Sequence, residues 1–491
     1  MKITTMELTD GYKLDHRRQY PQGTEFVYSN WTPRSNTYFP EAEDGCVVFG
    51  IQYFIKEYLI KRFNEDFFNL DEDVAVKTFE RRINTFLGDN EVGTDHIREL
   101  HNLGYLPIHI KALPEGDLCP IGVPMLTIMN TDKRFFWLTN FLETMMSMCL
   151  WLPMTSATTA RIYRKELERH AQKTMFPKDV MLGFLCHDFS MRGMAGLEAA
   201  ITSGMGHLTS FVGSETIPAI GACEVYYNAD AEKELIAATV PATEHSVMCA
   251  GGIDDEFGTF KRLLTELYPN GFVSIVSDTW DFWQVITDFI PRLKEDILAR
   301  NGRFVVRPDS GIPEDIICGT NNPNDPNHIR KGAYECLWDI FGGTYTENGY
   351  KVLDSHIGMI YGDSITIERQ REIYRRLEEK GFAATNLVLG IGSYTYQYRT
   401  RDSLGFAMKA TWCRINGERK EIFKNPKTDS GMKKSLRGLI TVVKENGKYV
   451  AYDCAHPADE VGSELKTVFE NGELVREFTL NDIRENVEKT L

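Results

Sequence analysis

The chain has 491 residues, 42% hydrophobic and 25% charged, a globular composition with material for two to three domains, or for one barrel with a second lobe. Its net charge of -15 repels nucleic acid and anionic lipid at long range and excludes both as general partners. The ten cysteines are scattered without a C-x-x-C pair, and Cys149 and Cys186 sit in apolar surroundings, so reduced buried thiols are expected. The first twenty residues carry no apolar segment of the secretory kind. The apolar stretch 135–154 holds Asn140 and Glu143 and reads as a buried helix rather than a membrane span, so the expected setting is the cytoplasm.

Along the chain, residues 1–157 mix helical patches such as 50–63 with short strands such as Ile108–Ala112. From residue 158 to 400 the pattern changes. Seven short runs rich in apolar or β-branched residues (183–187, 208–212, 237–240, 273–276, 304–306, 357–361 and 386–389) alternate with longer helical patterns, which argues for a parallel sheet with crossover helices. Each run leads into glycine, a charge or a small hydroxyl residue, as the carboxyl ends of barrel strands do where an active site lies. The expected fold is therefore α/β, a distorted parallel barrel of about seven strands over 158–400. A second α/β lobe is expected from 1–157, completed by the strand-rich tail 401–491.

The strand ends carry the candidate chemistry. Arg307-Pro308-Asp309-Ser310-Gly311 sets a guanidinium suited to phosphate beside a carboxylate that could hold Mg²⁺ or a ribose hydroxyl; a local ion pair is the equal alternative. Gly362-Asp363-Ser364 precedes an amphipathic helix over 366–379 and offers backbone N–H groups to phosphate, unless Asp363 or Ser364 simply caps that helix. Gly390-Ile391-Gly392-Ser393 is a second candidate phosphate loop. His245 follows one strand and Asp278 ends the next, so neighbouring staves would bring imidazole and carboxylate together and raise the nucleophilicity of the ring. His187 is expected on a strand. There is no G-x-x-x-x-G-K-[ST] loop, no H-E-x-x-H and no G-x-S-x-G.

These motifs, in this order, resemble the nicotinamide phosphoribosyltransferase family. The resemblance runs from Asp10-Gly11-Tyr12-Lys13 and Trp137-Leu138-Thr139-Asn140 through His187-Asp188-Phe189-Ser190-Met191-Arg192-Gly193, Glu244-His245-Ser246, Ser277-Asp278 and Arg307 to Gly311, and ends at Thr467-Val468-Phe469-Glu470-Asn471-Gly472. It implies transfer of the phosphoribosyl group of phosphoribosyl pyrophosphate to nicotinamide in NAD salvage. It also implies a homodimer with active sites shared between chains, Mg²⁺, and stimulation by ATP through a phosphohistidine. By resemblance Phe189 and Tyr12 sandwich the pyridine ring, with Asp10 and Arg192 on the base side. Arg307, Asp309, Gly362, Asp363 and Gly392 line the ribose and its phosphate. Arg34, Arg401, Lys409 and Lys424 bind pyrophosphate, and His245 is the phosphorylated residue with Asp278 its carboxylate partner. Met191, Tyr394 and Ala407 depart from the family pattern, and the basic stretch at Lys433 matches it loosely.

Glu215 stands where the family has a base-reading aspartate. A carboxylate accepts from a carboxamide and repels nicotinate, although backbone groups could set the selectivity instead. The competing expectations are a nicotinate or quinolinate phosphoribosyltransferase on the same barrel, and a non-catalytic nucleotide-binding or signalling protein.

Overall fold

The structure is a computed structural model that describes residues 3–175, 181–362, 364–424 and 436–491. Asp363 and residues 433–435 of the basic stretch lie outside the described residues. Contacts gather the chain into two units. The first comprises residues 1–158, 222–229 and 399–490, and the second residues 159–221 and 230–398 with the terminal Leu491.

The first unit is built on a seven-stranded sheet in the order Glu418–Glu421, Ala407–Ile415, Thr24–Thr32, Leu126–Asn130, Ile108–Ala112, Lys466–Glu470, Glu473–Leu474, with every neighbouring pair antiparallel. The two ends of the chain therefore share one sheet, as the strand-rich tail suggests. Thr24–Thr32 is central because its β-branched and aromatic residues suit a strand buried on both faces: Val27 and Trp31 are inaccessible, and Trp31 stacks on Phe406 at 5.2 Å. The motif Trp137-Leu138-Thr139-Asn140 serves this strand. Asn140 accepts from the Ser29 hydroxyl at 2.7 Å and donates to the Tyr20 hydroxyl at 3.0 Å. The apolar stretch 135–154 is helical over Leu138–Phe141 and again in the 32-residue helix Glu143–Thr174, and among the described residues no helix is long and apolar enough to cross a membrane.

A carboxyl group sits deep in the same unit. Glu115 takes hydrogen bonds from the backbone N–H of Gly50 (3.0 Å) and Gln52 (2.6 Å), at the start of the helix Ile51–Phe54, and from the Tyr227 hydroxyl (2.9 Å). Burial pushes its pKa up to about 7, against the pull of those donors.

The second unit is a curled parallel sheet in the order Gly213–Ser214, Cys186–Asp188, Leu387–Ile391, Ile357–Tyr361, Phe304–Arg307, Val273–Val276. The two edge strands are joined through residues 238–242: Ala238 bridges Gly213, and Ala242 bridges Ser274, both parallel. Six strands and one bridged segment thus form the staves. Three expectations need correction. In run 183–187 only Cys186 and His187 are strand, Leu182–Phe184 being a 3-10 turn. Run 208–212 is no strand; Leu208 and Phe211 are buried in the turns that end the helix Leu197–His207, and the strand begins at Gly213. Run 237–240 makes only the single bridge at Ala238, because Pro241 cannot donate to a ladder. The helix after Ile357–Tyr361 begins at Ile367 and is capped by the Thr366 hydroxyl, which accepts from the Arg369 N–H at 3.2 Å, so Ser364 is not its cap.

Candidate active site

Within the barrel lies a cavity of about 1110 Å³, lined among others by His187, Phe189, Glu215, Thr239 and Arg307. The carboxyl ends of four staves carry the candidate chemical groups, of which His187, Phe189, Glu215 and Arg307 line this cavity.

Cys186–Asp188 carries His187 and delivers Phe189, whose rings lie 4.7 Å apart. Asp188 is wholly buried and structural: it accepts from the Ser190 N–H and the Thr216 hydroxyl. Arg192 follows on the exposed 3-10 turn Met191–Gly193. Beside them, after Gly213–Ser214, Glu215 takes a hydrogen bond on Oε1 from His187 Nε2 at 3.1 Å and a second, on the same oxygen, from the Thr239 hydroxyl. The His187 bond, then that of Thr239, holds the Glu215 carboxyl below the usual range against partial desolvation, so it is ionised at neutral pH. A side chain at position 213 would come within 2.7 Å of His187 Nδ1, so glycine leaves room for the imidazole.

Val273–Val276 and Phe304–Arg307 bring a second group together. His245, first residue of the helix His245–Ala250 and half exposed, has Nε2 at 3.9 Å from Asp278 Oδ1 and 3.8 Å from Asp309 Oδ2, and Nδ1 at 3.2 Å from the Thr279 hydroxyl. Asp278 accepts on its other oxygen from the Asp309 N–H (2.9 Å) and the Ser310 hydroxyl (2.6 Å), while its Oδ1 is buried without a hydrogen-bond partner. Arg307 lies 3.4 Å from Asp309 and donates to the Thr243 carbonyl at 2.6 Å. Gly362 packs on this pair: a Cβ there would stand 2.3 Å from Asp309 Oδ1. Gly392 precedes the short helix Ser393–Gln397.

The ligand atoms of His245, Asp278 and Asp309 lie within 4.8 Å of one another. An orphaned carboxylate oxygen and a second carboxylate beside it fit a divalent cation such as Mg²⁺.

The remaining expected residues belong to the first unit. Asp10 precedes the turn Gly11–Asp15 and accepts from the Thr144 hydroxyl at 2.7 Å; Tyr12 is 63% exposed, edge-on to His16. Arg34, Arg401, Lys409 and Lys424 form one cationic cluster. The Lys409 ammonium is held below its ordinary pKa by partial desolvation and by the like charges of Arg34, Lys424 and Arg401, although Glu143 opposes the shift. Four cations crowded so closely suit a polyanion such as pyrophosphate.

Sequence reasoning passes over Thr239, Thr279 and Ser310, and gives His187 no role. Thr279 and Ser310 adjoin residues already marked, which is the signal that could have found them; Thr239 carries none.

A family model described as the nicotinate phosphoribosyltransferase (NAPRTase) family matches residues 184–473. A model for the N-terminal domain of nicotinamide phosphoribosyltransferase matches residues 4–110. The chain is 49% identical over 501 residues to the nicotinamide phosphoribosyltransferase of Acinetobacter baylyi, covering 100% of this chain and 98% of that protein. It is 35% identical to that of Mycoplasma pneumoniae, covering 87% and 93%. Among solved structures it resembles nicotinate-nucleotide pyrophosphorylase from Pyrococcus furiosus (TM-score 0.58, 16% identity, 99% and 95% covered). It also resembles human nicotinic acid phosphoribosyltransferase (TM-score 0.54, 15% identity, 98% and 93% covered). At such identities these two speak to the fold alone. Fold and site thus define a barrel-type phosphoribosyltransferase, an enzyme. More narrowly, the chain belongs to the nicotinamide phosphoribosyltransferase family.

Proposed function

We propose that the chain transfers the phosphoribosyl group of phosphoribosyl pyrophosphate to nicotinamide, giving nicotinamide mononucleotide and pyrophosphate in cytoplasmic NAD salvage. The observation that carries the choice of base is Glu215, an ionised carboxylate on the cavity wall beside Phe189. It accepts from a carboxamide NH₂ and repels the carboxylate of nicotinate.

In this reading the pyridine ring lies against Phe189, with Tyr12 of a second copy on its other face. Asp10 of that copy and Arg192 flank the base, Asp309 accepts from a ribose hydroxyl, and Arg307 with the Gly362 and Gly392 backbones holds the ribose phosphate. As the bond from C1′ to pyrophosphate breaks, positive charge grows on the ribose and negative charge on the leaving group. Arg34, Arg401, Lys409 and Lys424 of the second copy receive that pyrophosphate. Asp278 and Asp309 would hold Mg²⁺, which supplies further charge neutralisation. ATP acts through His245: a ring nitrogen takes the γ-phosphoryl group and ADP leaves, with Asp278 stabilising the cationic ring.

Pyrophosphate release measured with nicotinamide, nicotinate and quinolinate, each with and without ATP, tests the reading. Release with nicotinamide, raised by ATP, is expected. Release with nicotinate or quinolinate alone would replace it by an acid-specific transferase.

A further inference from the structure

The family resemblance explains why an acid stands at position 215 but not how a glutamate does the work of an aspartate. Glutamate has one more methylene and one more rotatable bond, so a free Glu215 would sweep a wide arc and lose its direction along with side-chain entropy on binding the base. The structure answers this with two donors. His187 Nε2 and the Thr239 hydroxyl both engage Oε1 of Glu215, one from each neighbouring stave. Oε2 has no hydrogen-bond partner among the described residues, the side chain is 41% exposed, and it faces the cavity. The imidazole packs against Phe189 at 4.7 Å, in space that Gly213 leaves open.

We infer that His187 and Thr239 are positioning residues for base selectivity: by sharing Oε1 they fix the Glu215 carboxylate and leave Oε2 as the single acceptor presented to the carboxamide. The inference rests on the proposed nicotinamide reading and deepens it. His187 serves as donor through Nε2, which leaves Nδ1 facing Gly213. Arg307 is the cation whose field reaches Glu215, and the Asp188 carboxylate next in sequence is occupied by Ser190 and Thr216. A carboxylate anchored on one oxygen cannot rotate away from an incoming nicotinate, so anchoring serves rejection of the acid as much as recognition of the amide.

The test is the kinetics of pyrophosphate release with nicotinamide and with nicotinate for the wild type, Thr239→Val, Thr239→Ser, His187→Leu and Glu215→Gln. Losing one hydrogen bond to a charged group should raise the KM for nicotinamide roughly tenfold in Thr239→Val, with kcat changed less than about threefold. The preference for nicotinamide over nicotinate in kcat/KM should fall by a similar factor, and Thr239→Ser, which keeps the hydroxyl, should restore both. His187→Leu should behave as Thr239→Val; because the imidazole is buried, a misfolded variant leaves the decision to the exposed hydroxyl at 239. The inference is overturned if Thr239→Val keeps KM and preference within twofold of wild type while Glu215→Gln loses the preference, for then Glu215 reads the base unaided. It is overturned equally if Thr239→Ser is as damaged as Thr239→Val, which marks a packing role. A wild-type enzyme that uses no nicotinamide sinks the underlying reading instead, whatever the variants do.

Discussion

His245 shows how one residue gathers its chemistry from three strand ends. Its ring faces Asp278 and Asp309 on one side and Thr279 on the other, while its own helix leaves it half exposed. In the phosphohistidine reading, His245→Ala abolishes the response of pyrophosphate release to ATP and leaves slow transfer; an ATP response equal to that of the wild type contradicts the role. Glu115 gives a prediction of another kind. With a folded pKa of about 7 and an unfolded value near the ordinary one, the folded state binds a proton between those values that the unfolded chain has released. Stability therefore falls as pH rises through that window, by at most about 3 kcal/mol for this one group. Glu256, also pushed up to about 7 by burial, works in the same direction. Unfolding midpoints between pH 5 and 8 should decline in the wild type and decline less in Glu115→Gln; parallel curves would refute the assignment. The strand-end residues were legible because glycine, charge and apolar run follow one another in sequence. The Thr239–Glu215–His187 bonds were not, since a loop threonine looks the same whatever it donates to.

At the scale of elements, apolar pattern located the strands well where the chain alternates cleanly, as at Ile357–Tyr361 and Val273–Val276. It failed at 208–212, where a buried helix end presents the same apolar residues as a strand. It also failed at 237–240, which makes a single bridge, at Ala238. One junction carries a sharp test. Gly50 precedes the helix Ile51–Phe54 at a φ of 88°, and a Cβ there would lie 2.7 Å from the Cγ of Pro153 in the helix Glu143–Thr174. Left-handed backbone alone costs a residue with a side chain roughly 1–2 kcal/mol, and the clash adds to it. Gly50→Ala should therefore lose at least that much in denaturant unfolding, whereas Gly104→Ala, in the same left-handed conformation at a φ of 79° with nothing within 4 Å, should lose only the backbone part.

At the scale of the whole molecule, the groups proposed for one reaction are divided: Phe189, Arg192, Glu215 and the ribose residues belong to the barrel, and Asp10, Tyr12 and the pyrophosphate cations to the lobe built from both chain ends. In the proposed homodimer each site draws on both chains. Arg401→Ala and Phe189→Ala should each be inactive alone, while an equal mixture allowed to exchange subunits should recover about a quarter of wild-type activity, one intact site in half of the dimers. No recovery in verified mixed dimers would argue that each chain completes its own site. The pairing of Thr24–Thr32 with Ala407–Ile415 could not be read from the sequence, because nothing in either segment names a partner so far along the chain.

That pairing has a consequence for synthesis. The ribosome delivers Thr24–Thr32 first and the strand that flanks it nearly last, so the lobe sheet stays incomplete while the barrel, contiguous but for a short excursion, emerges and folds. Until residue 415 appears, the nine-residue strand Thr24–Thr32 offers a bare edge to whatever it meets. A chain cut after the barrel would carry that edge permanently, so it should aggregate more readily than the full chain.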